Sequence, residues 1–276
     1  MVAAVAVAGT LLALGPAPAP APASAVGSTR RPQDRTLALG PGSGFMVDEY
    51  ATDATRQQLS VSDAALADGS ESAWITAYDP GTFDPDSGPR GRPVLFDGRE
   101  AWYLADPTPR LTWRGAAGTW LAVTGTVDWP ALGRLARAVR LNPATPVAGP
   151  VGLSWLPTGL ALASARIGSG TTTETFTARG RRAYDVRLSV YPVASNDWTN
   201  GTLGLGRPNI AAARYRAWYA EDTDDNSQLV VEAGSCGVRV QVSDRVRVPL
   251  QALERMLAGA EIGSCDDVDS WPPILS

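Results

Sequence analysis

The sequence predicts an α+β fold made of two tandem repeats, each an antiparallel β-sheet covered by a C-terminal helix. The tripeptide Ala-Trp-Tyr occurs twice, at 101–103 and 217–219, and each copy is preceded by Gly-Arg-Pro, at 91–93 and 206–208. Strand-like runs follow each copy, and each series ends in an amphipathic pattern typical of a helix. Five matching segments in the same order indicate two copies of one unit.

Each repeat is predicted to contain the same elements in the same order. A strand at 74–80 or 187–193 precedes the Gly-Arg-Pro turn, and the next strand carries Ala-Trp-Tyr. A hairpin turn leads to a third strand at 110–113 or 228–231, and a fourth follows at 120–124 or 238–242. Pro130 and Pro249 suit the first turn of the closing helix, where a backbone N–H is not needed. The predicted apolar helix faces are Leu132, Leu135, Ala136 and Val139 in the first repeat and Leu250, Leu253, Met256 and Leu257 in the second.

The N-terminal segment predicts export. Residues 2–15 are apolar apart from Thr10, but they fall short of the ~20 residues that span a bilayer. An Ala-x-Ala cleavage motif follows at 23–25, so residues 1–25 are predicted to be a signal peptide. The usual basic n-region is missing, and we therefore expect the true start to lie upstream of Met1. The alternative is a membrane anchor shortened by that start, with the Pro-Ala repeat as a spacer.

The rest of the chain is predicted to divide into a leader, two repeats, a join and a tail. Residues 26–44 are rich in Gly, Pro, Ser and Arg and are predicted to be a flexible leader. Repeat 1 covers 45–143 and repeat 2 covers 150–265. The Pro-rich segment 144–149 joins them. Residues 266–276 form the tail.

Composition excludes several kinds of catalytic site. The chain has 24 basic residues and no histidine, and all 24 are arginine because the sequence contains no lysine. Imidazole bases, His-ligated metals, Schiff bases and P-loop lysines are therefore excluded. A net charge of −4 disfavours nucleic acid as a partner. We expect no metal, no cofactor and no catalytic activity.

Cys236 and Cys265 are the only two cysteines. In an exported chain such a pair predicts one disulfide. It would tie a strand of repeat 2 to the segment that follows the repeat's helix. Two buried free thiols are the alternative.

Four tryptophans in predicted strands are the candidate ligand-binding residues. The simplest interpretation is that they belong to the hydrophobic core. If one face of the sheet is uncovered, they would instead line an apolar pocket for a lipid or a peptide. They are Trp102, Trp113, Trp120 and Trp218.

Acidic residues offer two further possibilities. The turn at 221–226 has oxygen ligands at alternate positions, which suits Ca²⁺, but the glycine expected at its sixth position is absent. We therefore predict a solvated turn rather than a metal site. Paired carboxylates can hydrolyse glycosides without histidine, although no pair here has a defined spacing. The available carboxylates are Asp97, Glu100, Asp128, Glu221 and Glu232.

The segment LTWRGAAGTWLAVTGTVDWPALGRLARAV at 111–139, together with WLPTGLAL at 155–162, resembles a family of uncharacterised extracytoplasmic domains carried by bacterial anti-sigma-type membrane proteins and lipoproteins. More distantly, the layout resembles the half-open sheet of LolA/RseB-like periplasmic lipid and signal binders. The chain departs from the anti-sigma pattern because it lacks a sigma-binding region and a His/Cys zinc motif. The resemblance implies a module on the envelope side of the membrane and transfers no functional residues.

Together these observations predict an exported, disulfide-bonded binding or sensing module of the cell envelope. Its partner would be an unidentified envelope component or an apolar ligand. Any membrane contact would be made through the N-terminal anchor alone. The alternatives are a carboxylate-based polysaccharide hydrolase and a lipid carrier.

Overall fold

A computed structural model describes residues 30–63, 72–84, 91–168, 170–178, 183–195, 198, 205–212, 214–221 and 224–276. Strands account for 54% of the structure and helical residues for 12%. The described ranges contain two α-helices, α1 (Trp129–Ala138) and α2 (Leu250–Ala258). The strands are β1 (Asp34–Leu39), β2 (Phe45–Asp53), β3 (Arg56–Asp63), β4 (Ser72–Tyr78), β5 (Arg92–Phe96), β6 (Arg99–Leu104), β7 (Arg110–Arg114), β8 (Trp120–Gly125), β9 (Val139–Pro146), β10 (Val151–Leu153), β11 (Leu160–Gly168), β12 (Thr172–Ala178), β13 (Tyr184–Pro192), β14 (Ile210–Ala212), β15 (Tyr215–Glu221), β16 (Ser227–Ala233), β17 (Cys236–Val242) and β18 (Ala260–Ile262).

Fourteen of these strands form one continuous antiparallel sheet. Its order is β14-β15-β16-β17-β13-β12-β11-β2-β3-β4-β8-β7-β6-β5. β2 and β11 pair at the centre, with Ser164 opposite Asp53 and Ile167 opposite Tyr50. The two halves have the same strand order. Outward from β2, β8 pairs with β4 and is followed by β7, β6 and β5. Outward from β11, β17 pairs with β13 and is followed by β16, β15 and β14.

The predicted fold class is wrong. It placed each set of strands in a separate sheet under its own C-terminal helix, whereas the protein is mainly β and has one large sheet. The prediction omitted β2, β3, β11 and β12, the strands that fill the centre of the sheet. Without the β2–β11 pairing, both strands would be edges with unpaired backbone groups. Joining them satisfies those groups and merges the two halves.

One face of the sheet carries the hydrophobic core. Alternate residues of each strand point to it, and its buried members from both halves form a single cluster. α1 packs over β7 and β8, and its first turn is capped by Asp128, which accepts a hydrogen bond from the Ala131 N–H at 2.7 Å. Two further sheets have two antiparallel strands each, and they pair β1 with β9 and β10 with β18. Representative core residues are Leu59, Ile75, Leu111, Val123, Phe176, Leu188 and Leu229.

The described part of the predicted leader contains a strand. β1 pairs with β9, and Leu37 is fully buried in the core. Just before β1, the buried Arg30 side chain pairs with Asp79 at 2.9 Å and donates to the Asp53 carbonyl at 2.6 Å. Residues 1–29, with the predicted signal peptide, lie outside the described residues. Neither helix in the described ranges has the length and apolar character needed to cross a membrane.

The disulfide prediction is confirmed. Cys236, the first residue of β17, is bonded to Cys265 in the segment after β18. Hydrogen bonds reinforce the same junction, since the Cys265 N–H donates to Ser235 Oγ at 3.0 Å and Ser235 Oγ lies 3.1 Å from Ser264 Oγ. The crosslink therefore fastens the chain after α2 to the sheet.

Candidate binding site

The face of the sheet opposite the core carries two adjoining grooves near its centre. One, of about 440 Å³, lies over the β2–β11 junction and extends to β13. The other, of about 520 Å³, runs from β13 to β15. Arg187 of β13 lines both grooves, so they meet at its side chain. We refer to this side of the sheet as the open face.

A row of five polar residues crosses five neighbouring strands along these grooves. Ser164 lies opposite Thr175, Thr175 opposite Arg187, Arg187 opposite Gln241, and Gln241 opposite Gln228. Directly opposed residues of antiparallel strands project from the same face. All five line one or both grooves, and we call them the cross-sheet row.

Three arginines line the grooves, and they differ in whether they have an anionic partner among the described residues. Arg56 pairs with Asp53 at 3.3 Å, and Arg166 pairs with Glu49 at 3.5 Å, so both guanidinium groups already have anionic partners. Arg187 is exposed and forms no ion pair or hydrogen bond with any residue that the structure describes. Its guanidinium is therefore available to an anionic ligand.

The four candidate tryptophans are not brought together in one site. Trp113 is 2% exposed on the core face, where its ring packs against Phe96 at 5.8 Å. Trp102 and Trp120 lie on the other face, with ring centroids 5.5 Å apart. Trp218 belongs to the other half of the sheet.

The tryptophans on the open face hold connecting segments against the sheet. Phe83, in the segment after β4, lies 5.6 Å from Trp120. In the other half, Trp198 follows β13 and packs edge-on against Trp218 at 6.4 Å. The Trp218 indole N–H also donates to the Gly206 carbonyl at 3.0 Å. Packing in these clusters accounts for the rings without a ligand.

The acidic turn is held by an arginine. Arg245 pairs with Glu221 and, at 3.5 Å, with Asp225. Residues 222–223 of the turn lie outside the described residues. Within the described ranges, no cluster of three or more His, Cys, Asp or Glu side chains has a geometry suited to a metal ion.

The carboxylates considered for hydrolysis are spread over both halves, and four of them have other partners. Asp97 pairs with Arg137 at 3.0 Å, and Asp128 caps α1. Glu221 pairs with Arg245, and Glu232 lies 3.7 Å from Arg216. The fifth, Glu100, is exposed on β6.

Asp53, at one end of the cross-sheet row, does not have the properties of a general acid. Burial raises the pKa of Asp53, but hydrogen bonds from Thr55 and Arg56 outweigh this effect and leave the pKa below its usual value. A glycosidase acid needs the opposite shift. Asp53 is thus a charged partner in a turn.

One carboxyl group is enclosed in the core. Glu174 of β12 is fully buried on the core face, and neither of its oxygens has a hydrogen-bond partner among the described residues. Its side chain lies under Gly149, beside Ile167 and Ile274 of the C-terminal segment. Burial raises the pKa of Glu174 well above its usual range, because this apolar environment disfavours the charged form.

Glu174 is expected to make the protein less stable as the pH rises. The folded state holds this proton more tightly than the unfolded chain, so stability is greatest below the unfolded pKa near 4.5 and falls as the pH rises toward the higher folded pKa. We expect Glu174→Gln to flatten this fall, because the amide does not ionise, and to increase the free energy of unfolding at pH 8 by about 1.4 kcal/mol for each unit by which burial raises the pKa of Glu174. Urea denaturation between pH 4 and pH 9 measures this, with the exposed Glu100→Gln as the matched control. Parallel pH profiles for Glu174→Gln and the wild-type chain would contradict the prediction.

Sequence reasoning missed the cross-sheet row. The alternation of β13, with Asp185 and Arg187 between Tyr184, Val186 and Leu188, does indicate that Arg187 projects from a polar face. The register that aligns five strands depends on pairings between strands distant in the chain. No local pattern in the sequence reveals those pairings.

Comparison with known proteins gives no relative from which function could be inferred. The chain matches no known protein family, and it matches no curated protein sequence. The geometry of the open face is therefore the basis for inferring the protein's function.

Proposed function

We propose that the protein is an exported, non-catalytic binding or sensing module of the cell envelope and that its ligand binds along the cross-sheet row. The observation that carries the proposal is this row of five polar side chains, which line an extended groove and have no hydrogen-bond partners among the described residues. Side chains arranged in this way can bind a ligand without displacing other contacts.

Two features support a location outside the cytoplasm. Disulfides persist in oxidising compartments, and the Cys236–Cys265 bond crosslinks the sheet to the segment after α2. The Ala-x-Ala motif at 23–25 is typical of a signal-peptide cleavage site.

The two alternatives receive less support. An acyl chain needs an apolar cavity, whereas polar side chains line much of both grooves. A retaining or inverting glycosidase needs a carboxyl group with a raised pKa in its cleft. Glu174 has such a pKa but lies on the opposite, closed face.

Co-sedimentation with isolated envelope material tests the proposal. We expect the wild-type chain to sediment with cell-wall and membrane fractions and Thr175→Trp, which fills the groove, to remain in the supernatant. Thr124→Trp is the matched control, because Thr124 is half-buried on β8 and lines neither groove. The proposal fails if the wild-type chain does not sediment or if Thr175→Trp sediments as the wild-type chain does. Release of reducing sugar ends from the envelope fraction would show catalysis and refute the non-catalytic role.

A further inference from the structure

We propose that the ligand of the cross-sheet row is an extended acidic oligosaccharide and that one of its carboxylates pairs with Arg187. The inference rests on the proposed binding function and adds the chemical class of the ligand. The shape, the hydrogen-bonding groups and the charge of the row support it.

The shape of the site favours an extended ligand. The row crosses five strands, a distance of roughly 19 Å at the usual spacing between strands. The two grooves meet at Arg187, so a single chain could lie across the strands and pass over this residue. An extended peptide usually adds to the edge of a sheet, where free backbone groups are available, rather than lying across its face.

The hydrogen-bonding groups of the row match those of a sugar. Ser164 and Thr175 present hydroxyl groups, and Gln241 and Gln228 present amides. Both kinds of group can donate and accept hydrogen bonds. Sugar hydroxyls have the same dual capacity, so a chain of sugar units could bond to successive residues of the row.

The charge of the site favours an anionic ligand of low charge density. The guanidinium of Arg187 has no partner among the described residues, and this planar group can hold a carboxylate through two parallel hydrogen bonds. Asp185 and Glu221 line the groove beyond Arg187 and would repel a densely charged polymer. A sugar chain in which acidic and neutral units alternate avoids that repulsion and still reaches Arg187.

Isothermal titration calorimetry with defined oligosaccharides tests the inference. The probe is a hexasaccharide of alternating glucuronate and N-acetylglucosamine, with a neutral hexamer of N-acetylglucosamine and linear polyphosphate as comparisons. We expect the acidic hexasaccharide to bind at least about tenfold more tightly than the neutral one. Raising the salt concentration should weaken this binding, because the ion pair is exposed.

Substitutions at Arg187 separate its role from general charge. Arg187→Gln should weaken binding of the acidic hexasaccharide by about tenfold or more and leave the neutral hexamer unaffected, whereas Arg187→Lys should retain part of the affinity. Arg114→Gln is the matched control, because Arg114 is exposed on β7 and lines neither groove. Since Arg187 is exposed and unpartnered in the described structure, its variants should keep the wild-type melting temperature.

Three comparisons of affinity would each overturn the inference. They are equal affinity of Arg187→Gln and the wild-type chain, equal affinity for the acidic and neutral hexamers, and tighter binding of polyphosphate than of the acidic hexasaccharide. If the hexasaccharide does not bind but co-sedimentation remains sensitive to Thr175→Trp, the ligand class is wrong and the proposed binding function stands. Loss of both results would refute both proposals.

Discussion

Replacing Trp113 with alanine is expected to lower the free energy of unfolding by about 3–5 kcal/mol, the usual cost of removing a large aromatic side chain from a core. The indole is 2% exposed and packs against Phe96 of β5. Its own strand, β7, lies between β6 and β8 in the sheet. Removal of the indole leaves a cavity that rigid neighbouring strands cannot fill. Urea denaturation followed by circular dichroism measures the change.

Trp74 provides the control for this substitution. It lies in β4 on the open face and is 39% exposed, so Trp74→Ala removes the same side chain from a site with fewer neighbours. We expect Trp74→Ala to cost much less than Trp113→Ala. Similar losses from the two substitutions would mean that Trp113 does not occupy the core.

Removing the disulfide is expected to lower the free energy of unfolding by about 3–4 kcal/mol. The two cysteines are separated by 29 positions in the chain, and the bond restricts the unfolded state by closing this loop. The variant is the double substitution Cys236→Ala and Cys265→Ala, because Cys236 is buried and a serine would place a hydroxyl in the core. Chemical denaturation measures the loss.

Reduction of the wild-type chain is the companion experiment. A mild reductant that opens the bond should reproduce the midpoint of the double variant without any change in sequence. A double variant with the wild-type midpoint would show that the crosslink restricts little in the unfolded chain. If the double variant loses stability but the reduced wild-type chain does not, the loss would come from altered packing around Cys236.

Local patterns in the sequence located several elements. The two helical patterns largely match α1 and α2, although α1 ends at Ala138 and Val139, predicted on its apolar face, begins β9. The strand runs at 110–113 and 238–242 fall within β7 and β17. These elements are amphipathic, so the spacing of their apolar residues reflects the single face that each buries. The disulfide was predictable for a different reason, since two cysteines in an exported chain have one intramolecular pairing.

The central strands were harder to find. β12 reads TTETFTA, in which threonines and Glu174 hide the alternation of buried and exposed positions. A glutamate in a sequence normally indicates an exposed position, whereas Glu174 is buried and its carboxyl has no hydrogen-bond partner among the described residues. Missing β2, β3, β11 and β12 led directly to the wrong fold class, because these strands merge the two halves into one sheet.

The tryptophans and Arg187 illustrate the same limit at the candidate site. Trp102 and Trp113 both lie in strands, yet they project from opposite faces of the sheet. Alternation tells us that neighbouring residues face opposite ways but does not say which face is covered. Arg187 is an ordinary strand arginine until the pairing of β11, β12, β13, β17 and β16 places it in a row of polar side chains.

The sequence by itself determined the amphipathic elements, the absence of histidine and lysine chemistry, and the identity of the disulfide partners. These properties depend on composition or on residues close together in the chain. Only the tertiary structure decided that the halves share one sheet, which face is open, and which residues line its grooves. Strand register depends on hydrogen bonds between segments far apart in the sequence, so the cross-sheet row exists only once those segments have paired.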